Sequence, residues 1–304
     1  MVERDCFTEG WRTAFAVGPV GAFEKGACPI IEAKTPRATT SVAAAQGSGA
    51  RSNDWLDFPV LSAREGGPAQ RLGESFRRLH PAVVFAVVML AGLAATAVLS
   101  ICLGLLTTQV LEPAWGIGAA GERVNVWFAA HRTASRTDAS LVGSIVAGGV
   151  VLPIVVGSIA LVCALLRKWR IAAFVVFALA VESASYRLTT LVIHSHRPRV
   201  PRLEGLPVNA SYPSGHTAAS IAVYGGLALL ITSMITNTTV RAIAWTLVLA
   251  TVTFVAVARM YRGMHHPLDV AGGVVIGVVA IIAVLFACRV AGATADARAR
   301  AGGH

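Results

Sequence analysis

Apolar residues fall into six blocks along this chain, at about 82–107, 141–166, 170–193, 215–236, 241–258 and 268–289. Each block is near the ~20 residues that a helix needs to cross a ~30 Å hydrocarbon core. Lipid offers the backbone no hydrogen-bond partners and cannot satisfy an open strand edge, so the blocks are predicted to be helices. The pattern therefore predicts an all-α fold, a six-transmembrane-helix bundle over 81–290. Residues 1–80 differ, since Gly, Ala, Ser and Pro mix with charges of both signs and no helical or strand period persists. They read as an extended, largely disordered N-terminal tail, and 291–304 as a short C-terminal one. The start does not look like a signal peptide. Glu3, Asp5 and Glu9 stand where basic residues belong, and Gly and Pro interrupt the apolar stretch 15–23.

Composition agrees with the pattern, because 55% hydrophobic and only 14% charged residues, with a mean hydropathy of +0.65, exclude an ordinary soluble domain. A formal net charge of +10 and a pI near 10.1 raise nucleic acid as a partner. The basic residues, however, flank the apolar blocks and form no separate solvated face, so membrane topology accounts for the charge and no nucleic-acid partner is expected. Arg71, Arg77 and Arg78 precede the first block, and Arg167, Lys168 and Arg170 lie between the second and third. Arg241 falls between the fourth and fifth, and Arg289, Arg298 and Arg300 follow the sixth. Under the positive-inside rule these ends are cytoplasmic. The expectation is a multi-pass protein integral to the cell membrane, with both termini cytoplasmic and the connections after the third and fifth blocks extracytoplasmic. Cys102, Cys163 and Cys288 lie within apolar blocks and read as small hydrophobes. Cys6 and Cys28 lie in the cytoplasmic tail, where pairing is disfavoured.

Three polar clusters stand at the ends of these blocks: His196-Arg197-Pro198, then Pro213-Ser214-Gly215-His216, then Arg259 with His265 and Asp269. Ser214 and Gly215 fall at the start of the fourth helix, where free backbone N–H groups receive anions, and the Ser214 hydroxyl can donate to a phosphoryl oxygen. Gly215 lets the backbone approach a phosphate closely. Arg197 and Arg259 bring planar guanidinium groups, which hold two phosphoryl oxygens at once. If 265–269 is helical, the four-residue spacing puts imidazole and carboxylate on one face, Asp269 accepts the proton of one ring nitrogen, and the other nitrogen of His265 is a free nucleophile. His216 follows the cradle as a proton donor. Together the clusters form a candidate phosphate site. His194, His196, Arg199, Arg262 and His266 read as supporting or headgroup contacts.

These motifs make the chain resemble the type 2 phosphatidic acid phosphatase (PAP2) family, over about 170–290 by motif and 82–290 by helix pattern. The family signature runs Lys, six residues, Arg-Pro, then Pro-Ser-Gly-His, then Ser-Arg, five residues, His, three residues, Asp. The resemblance implies an integral membrane lipid-phosphate phosphatase in which His265 becomes phosphorylated, His216 protonates the leaving alcohol and Asp269 orients His265. Arg197, Ser214, Gly215 and Arg259 would hold the phosphate, and neither metal nor cofactor is implied. Substrates of the implied class include phosphatidic acid, phosphatidylglycerol phosphate and undecaprenyl pyrophosphate. Two alternatives share the site: phosphoryl transfer to a lipid or sugar acceptor, and a catalytically silent binder of polyprenyl phosphates. The chain departs from the signature at Thr190, where the family has lysine, and at Ala258, where it has serine. Arg187, one turn before Thr190, is a candidate replacement cation, and Glu182 a candidate partner that would hold it inside the bundle.

Overall fold

The structure, a computed structural model, describes residues 58–205 and 207–302. The first 57 residues of the expected tail, with Cys6 and Cys28, lie outside the described residues, as do 303 and 304. Six helices are long and apolar enough to cross a membrane: Pro81–Leu111, Ala134–Leu165, Trp169–Val192, Gly215–Met234, Thr238–Tyr261 and Pro267–Gly302. They match the six apolar blocks in order, as expected of an integral membrane protein.

In chain order the helices are α1 (Pro68–Ser75), α2 (Pro81–Leu106), α3 (Ile117–Ala130), α4 (Ala134–Val146), α5 (Val151–Leu165), α6 (Trp169–Val192), α7 (Gly215–Ser220), α8 (Gly226–Met234), α9 (Thr238–Tyr261) and α10 (Pro267–Gly302). Local chemistry sets several starts. Pro81 occupies the first turn of α2 while the His80 ring accepts the Ala82 N–H at 3.2 Å, and Asn237 caps α9 by accepting the Val240 N–H at 3.1 Å. Gly148 and Gly149 divide the second span into α4 and α5, and a π-helical turn at Ile221–Gly225 divides the fourth into α7 and α8.

The fourth span sits innermost, with 56% of its apolar window buried against 11% for the fifth. Its neighbours are α6, α9 and α10. The core runs between α5, α6, α8 and α10 through Leu152, Phe174, Leu230 and Val284, whereas Leu161, Leu191 and Leu249 are exposed, as lipid-facing positions are.

Three segments exceed the sequence reading. Residues 58–80, grouped with the tail on composition, pack on the bundle: Gly73 of α1 abuts Ala293, and Arg289 donates to the Val60 carbonyl at 2.9 Å. The last helix runs on to Gly302, because its alanine-rich end keeps strong helix formers past the apolar block. Between the first two spans lies α3, a 14-residue helix that the block pattern did not reveal.

Candidate active site

The third and fifth connections meet at one end of the bundle. Ser195 and Ala210 form an isolated bridge, the Ser195 hydroxyl accepts the Tyr212 N–H at 2.6 Å, and Arg197 N–H donates to the Val208 carbonyl at 3.1 Å. After α9, Gly263 adopts φ of 71°, a left-handed turn that reverses the chain into His265.

His265 is buried, and its Nδ1 lies 2.7 Å from the Ser211 carbonyl oxygen. A carbonyl only accepts, so Nδ1 carries the proton and Nε2 keeps its lone pair. Burial first, then the positive charge of Arg259 and Arg197 and the neighbouring His216, pushes the His265 pKa well below its ordinary value, against a smaller upward effect of the Ser211 bond. The ring is therefore neutral at pH 7.

Asp269 does not take the His265 proton directly. Its Oδ2 lies 3.9 Å from Nδ1, too far for a hydrogen bond. The reason is local: α10 begins at Pro267, so His265 precedes the helix and does not share a helical face with Asp269. Oδ2 instead accepts the Ser211 hydroxyl at 2.6 Å and the His266 N–H at 2.7 Å, the latter a reach-back to the helix start typical of a first-turn carboxylate. Asp269 is thus linked to His265 through Ser211, whose side chain it holds and whose carbonyl holds the imidazole. Its Oδ1 is buried without a partner.

Ser214 N–H donates to the Asp269 carbonyl at 2.9 Å, which ties the start of α7 to the start of α10. The Ser214 hydroxyl pairs with that of Thr217 at 3.0 Å and makes no cap to a backbone amide. The first amides of α7, including those of Gly215 and His216, lack intrahelical acceptors by helix geometry. Gly215 faces the Tyr186 ring, which a Cβ there would meet at 3.3 Å, and His216 is half-buried. Helix α10 comes close enough to receive this turn because Gly272, Gly273 and Gly277 face Tyr212, Ser214 and Ala218.

The two arginines differ. Arg259 is fully buried, with Nη1 donating to Ser144 Oγ at 2.8 Å and to both oxygens of Glu204 at 2.8 Å, while Nε and Nη2 are buried without partners. Arg197 gives Nε to the Pro207 carbonyl at 2.8 Å, Nη2 to that of Ala210 at 2.8 Å, and Nη1 to that of Met264. It clamps both loops together one residue from His265, and keeps one hydrogen on each Nη for another acceptor. Burial lowers the Arg197 pKa first, and Arg259 lowers it further.

Glu204, Ser140, Ser144 and Ser211 were not legible in the sequence. Glu204 also accepts Arg262 Nε at 2.6 Å, and Arg262 Nη1 reaches Ser140 Oγ at 3.1 Å. Burial pushes the Glu204 pKa upward, but Arg259 and the bonds from both arginines outweigh it and hold the carboxyl at about 2. Arg132 fastens the loop beneath, donating to the Pro201 carbonyl at 2.7 Å and to the Tyr261 carbonyl at 2.8 Å.

Of the supporting residues, His194, His196, Arg199 and His266 line a cavity of about 790 Å3 beside α3, together with Glu112 and Glu122. Glu122 meets His266 Nε2 at 3.2 Å and accepts the Arg199 N–H at 2.9 Å. Burial works against the His266 imidazolium, yet Asp269 and Glu122 outweigh it and raise its pKa. Thr190 donates to the Arg187 carbonyl at 2.9 Å, and the Arg187 guanidinium lies 5.9 Å from the Tyr186 ring centroid. Glu182 is buried, accepts the Ser183 hydroxyl and makes no ion pair with Arg187 among the described residues. Among the described residues no group of three or more His, Cys, Asp or Glu side chains is arranged to hold a metal ion.

The family model described as the PAP2 superfamily matches residues 171–290. A similar solved structure is that of the first transmembrane PAP2 type phosphatidylglycerolphosphate phosphatase from Bacillus subtilis. It is 18% identical, the match covers 63% of this chain and 93% of that one, and the TM-score is 0.51, a likeness of fold. No curated protein sequence matches the chain.

Proposed function

We propose, from the match of residues 171–290 to the PAP2 superfamily, that the protein is a phosphatase that removes a terminal phosphate from a membrane lipid phosphate or pyrophosphate. The observation that carries this reading is the state of His265: buried, neutral, its Nδ1–H given to the Ser211 carbonyl and its Nε2 lone pair free. In the first step Nε2 attacks phosphorus in line, the bond to the lipid oxygen breaks, and His216 gives that oxygen its proton. In the second, His216 takes a proton from water, whose oxygen attacks the phosphohistidine, and the phosphorus–nitrogen bond breaks to return His265. The bare Nε and Nη2 of Arg259, the first amides of α7, the Ser214 hydroxyl and the remaining Arg197 hydrogens are the donors proposed for the phosphoryl oxygens.

The basic flanks of the spans support a site on the outer surface with both termini inside. Lipids to test are phosphatidic acid, undecaprenyl pyrophosphate, and phosphatidylglycerol phosphate, the lipid for which the Bacillus subtilis phosphatase of similar fold is named. Phosphate release from this panel in detergent should vanish in His265→Ala while the variant keeps its thermal midpoint, and wild type should yield an acid-labile phosphoenzyme. Full turnover by His265→Ala would end the proposal.

A further inference from the structure

Arg259 occupies the last turn of α9 with no exposed surface, and burying a guanidinium is costly unless its hydrogens are met. Only one of its three nitrogens is met. Nη1 is held from two sides, by Ser144 Oγ of α4 and by the Glu204 carboxylate, each at 2.8 Å. Nε and Nη2, which form one two-pronged edge of the guanidinium, are buried and unpartnered. Buried donors are rarely left bare, and this edge matches an acceptor that offers two oxygens side by side.

The carboxylate that holds Nη1 is itself fixed. Glu204 accepts Arg262 Nε at 2.6 Å, Arg262 reaches Ser140 on α4 and donates to the Leu203 carbonyl at 3.2 Å, and Leu203 N–H returns to the Arg262 carbonyl at 3.1 Å. Two arginines thus share one carboxylate, which leaves net positive charge at the cluster. Because Glu204 sits on a connection and Ser144 on a span, they restrain Nη1 from different elements and limit rotation of the guanidinium.

We propose that Glu204, assisted by Ser144, is the positioning residue of the phosphate site: it holds Nη1 of Arg259 so that the Nε–Nη2 edge faces the phosphoryl oxygens. This rests on the phosphatase reading and adds a residue outside the three motifs. Glu204→Gln, which keeps the size and loses the charge, should lower kcat about tenfold or more, since misplacing a group by an ångström costs up to ~10²-fold. KM should change little, and orthovanadate should protect the variant against heat at a concentration about tenfold higher than wild type needs. Ser144→Ala should show the same pattern a few-fold weaker, and Glu204→Asp should recover part of the loss.

The measurements are phosphate release and vanadate-dependent thermal midpoint on the full chain in detergent. Unchanged kcat in Glu204→Gln with a lowered midpoint would reduce Glu204 to a structural tie and overturn the proposal. Tighter vanadate binding in that variant would overturn it too, by showing that the carboxylate competes with phosphate for Arg259. If wild type releases phosphate from none of the lipids, the phosphatase reading fails, and the vanadate comparison still decides the role of Glu204. No vanadate protection of wild type would remove the anion edge and the proposal with it.

Discussion

Replacing Gly273 with alanine drives a methyl group against the turn that carries Ser214. A Cβ built there would lie 2.5 Å from the Ser214 carbonyl oxygen, with Thr217 Cβ at 3.3 Å and the Ala218 nitrogen at 3.4 Å, whereas ordinary contact begins near 3.4 Å. The shortfall is close to an ångström, and the obstacle is backbone, so no side chain can swing aside. Helix α10 must retreat from α7. Overpacking of this kind costs about 1–3 kcal/mol of stability. The same shift separates Asp269, one turn earlier on α10, from the Ser214 amide that donates to its carbonyl. Displacement of a catalytic group by about an ångström costs up to ~10²-fold in rate. Gly273→Ala should therefore lower kcat/KM for lipid phosphate by one to two orders of magnitude and drop the thermal midpoint moderately. Gly157→Ala, where a Cβ meets nothing within 4 Å, is the control and should match wild type. Wild-type kcat/KM in Gly273→Ala would show that the α7–α10 contact does not set the site geometry.

Ser211→Ala removes the hydroxyl from the buried Asp269 carboxylate but keeps the carbonyl that holds His265. It should cost about 1–3 kcal/mol of stability with only a few-fold loss of kcat; chemical denaturation paired with turnover checks this, and loss of all activity would contradict the carbonyl assignment. The depressed pKa of His265 means that the unfolded chain binds a proton near pH ~6.5 which the folded chain refuses. Stability from this group is present above that pH and is lost as pH falls below it. The thermal midpoint of wild type should fall more steeply on acidification than that of His265→Gln, and equal slopes would count against a buried neutral ring.

Much of this was legible along the chain. Long apolar blocks admit one satisfied backbone in lipid, so the six helices followed from composition alone. His216, His265 and Asp269 could be proposed as site residues from the sequence because motif spacing is a local property. Glu204 was not, since nothing near it in sequence marks one acid of the third connection as the partner of Arg259 on another helix.

The His265–Asp269 pair shows where one kind of information stopped. Four-residue spacing implied a shared helical face, yet Pro267 starts the helix two residues too late for His265 to lie on it. Sequence by itself determined which elements form and which reactive side chains stand at their ends, because helix formation in an apolar block depends on near neighbours. Tertiary structure decided which acceptor receives each proton and which arginine keeps a bare edge. A hydrogen bond is short and saturable: Ser211 and His266 fill Asp269 Oδ2, leaving the imidazole to a carbonyl contributed from more than fifty residues away.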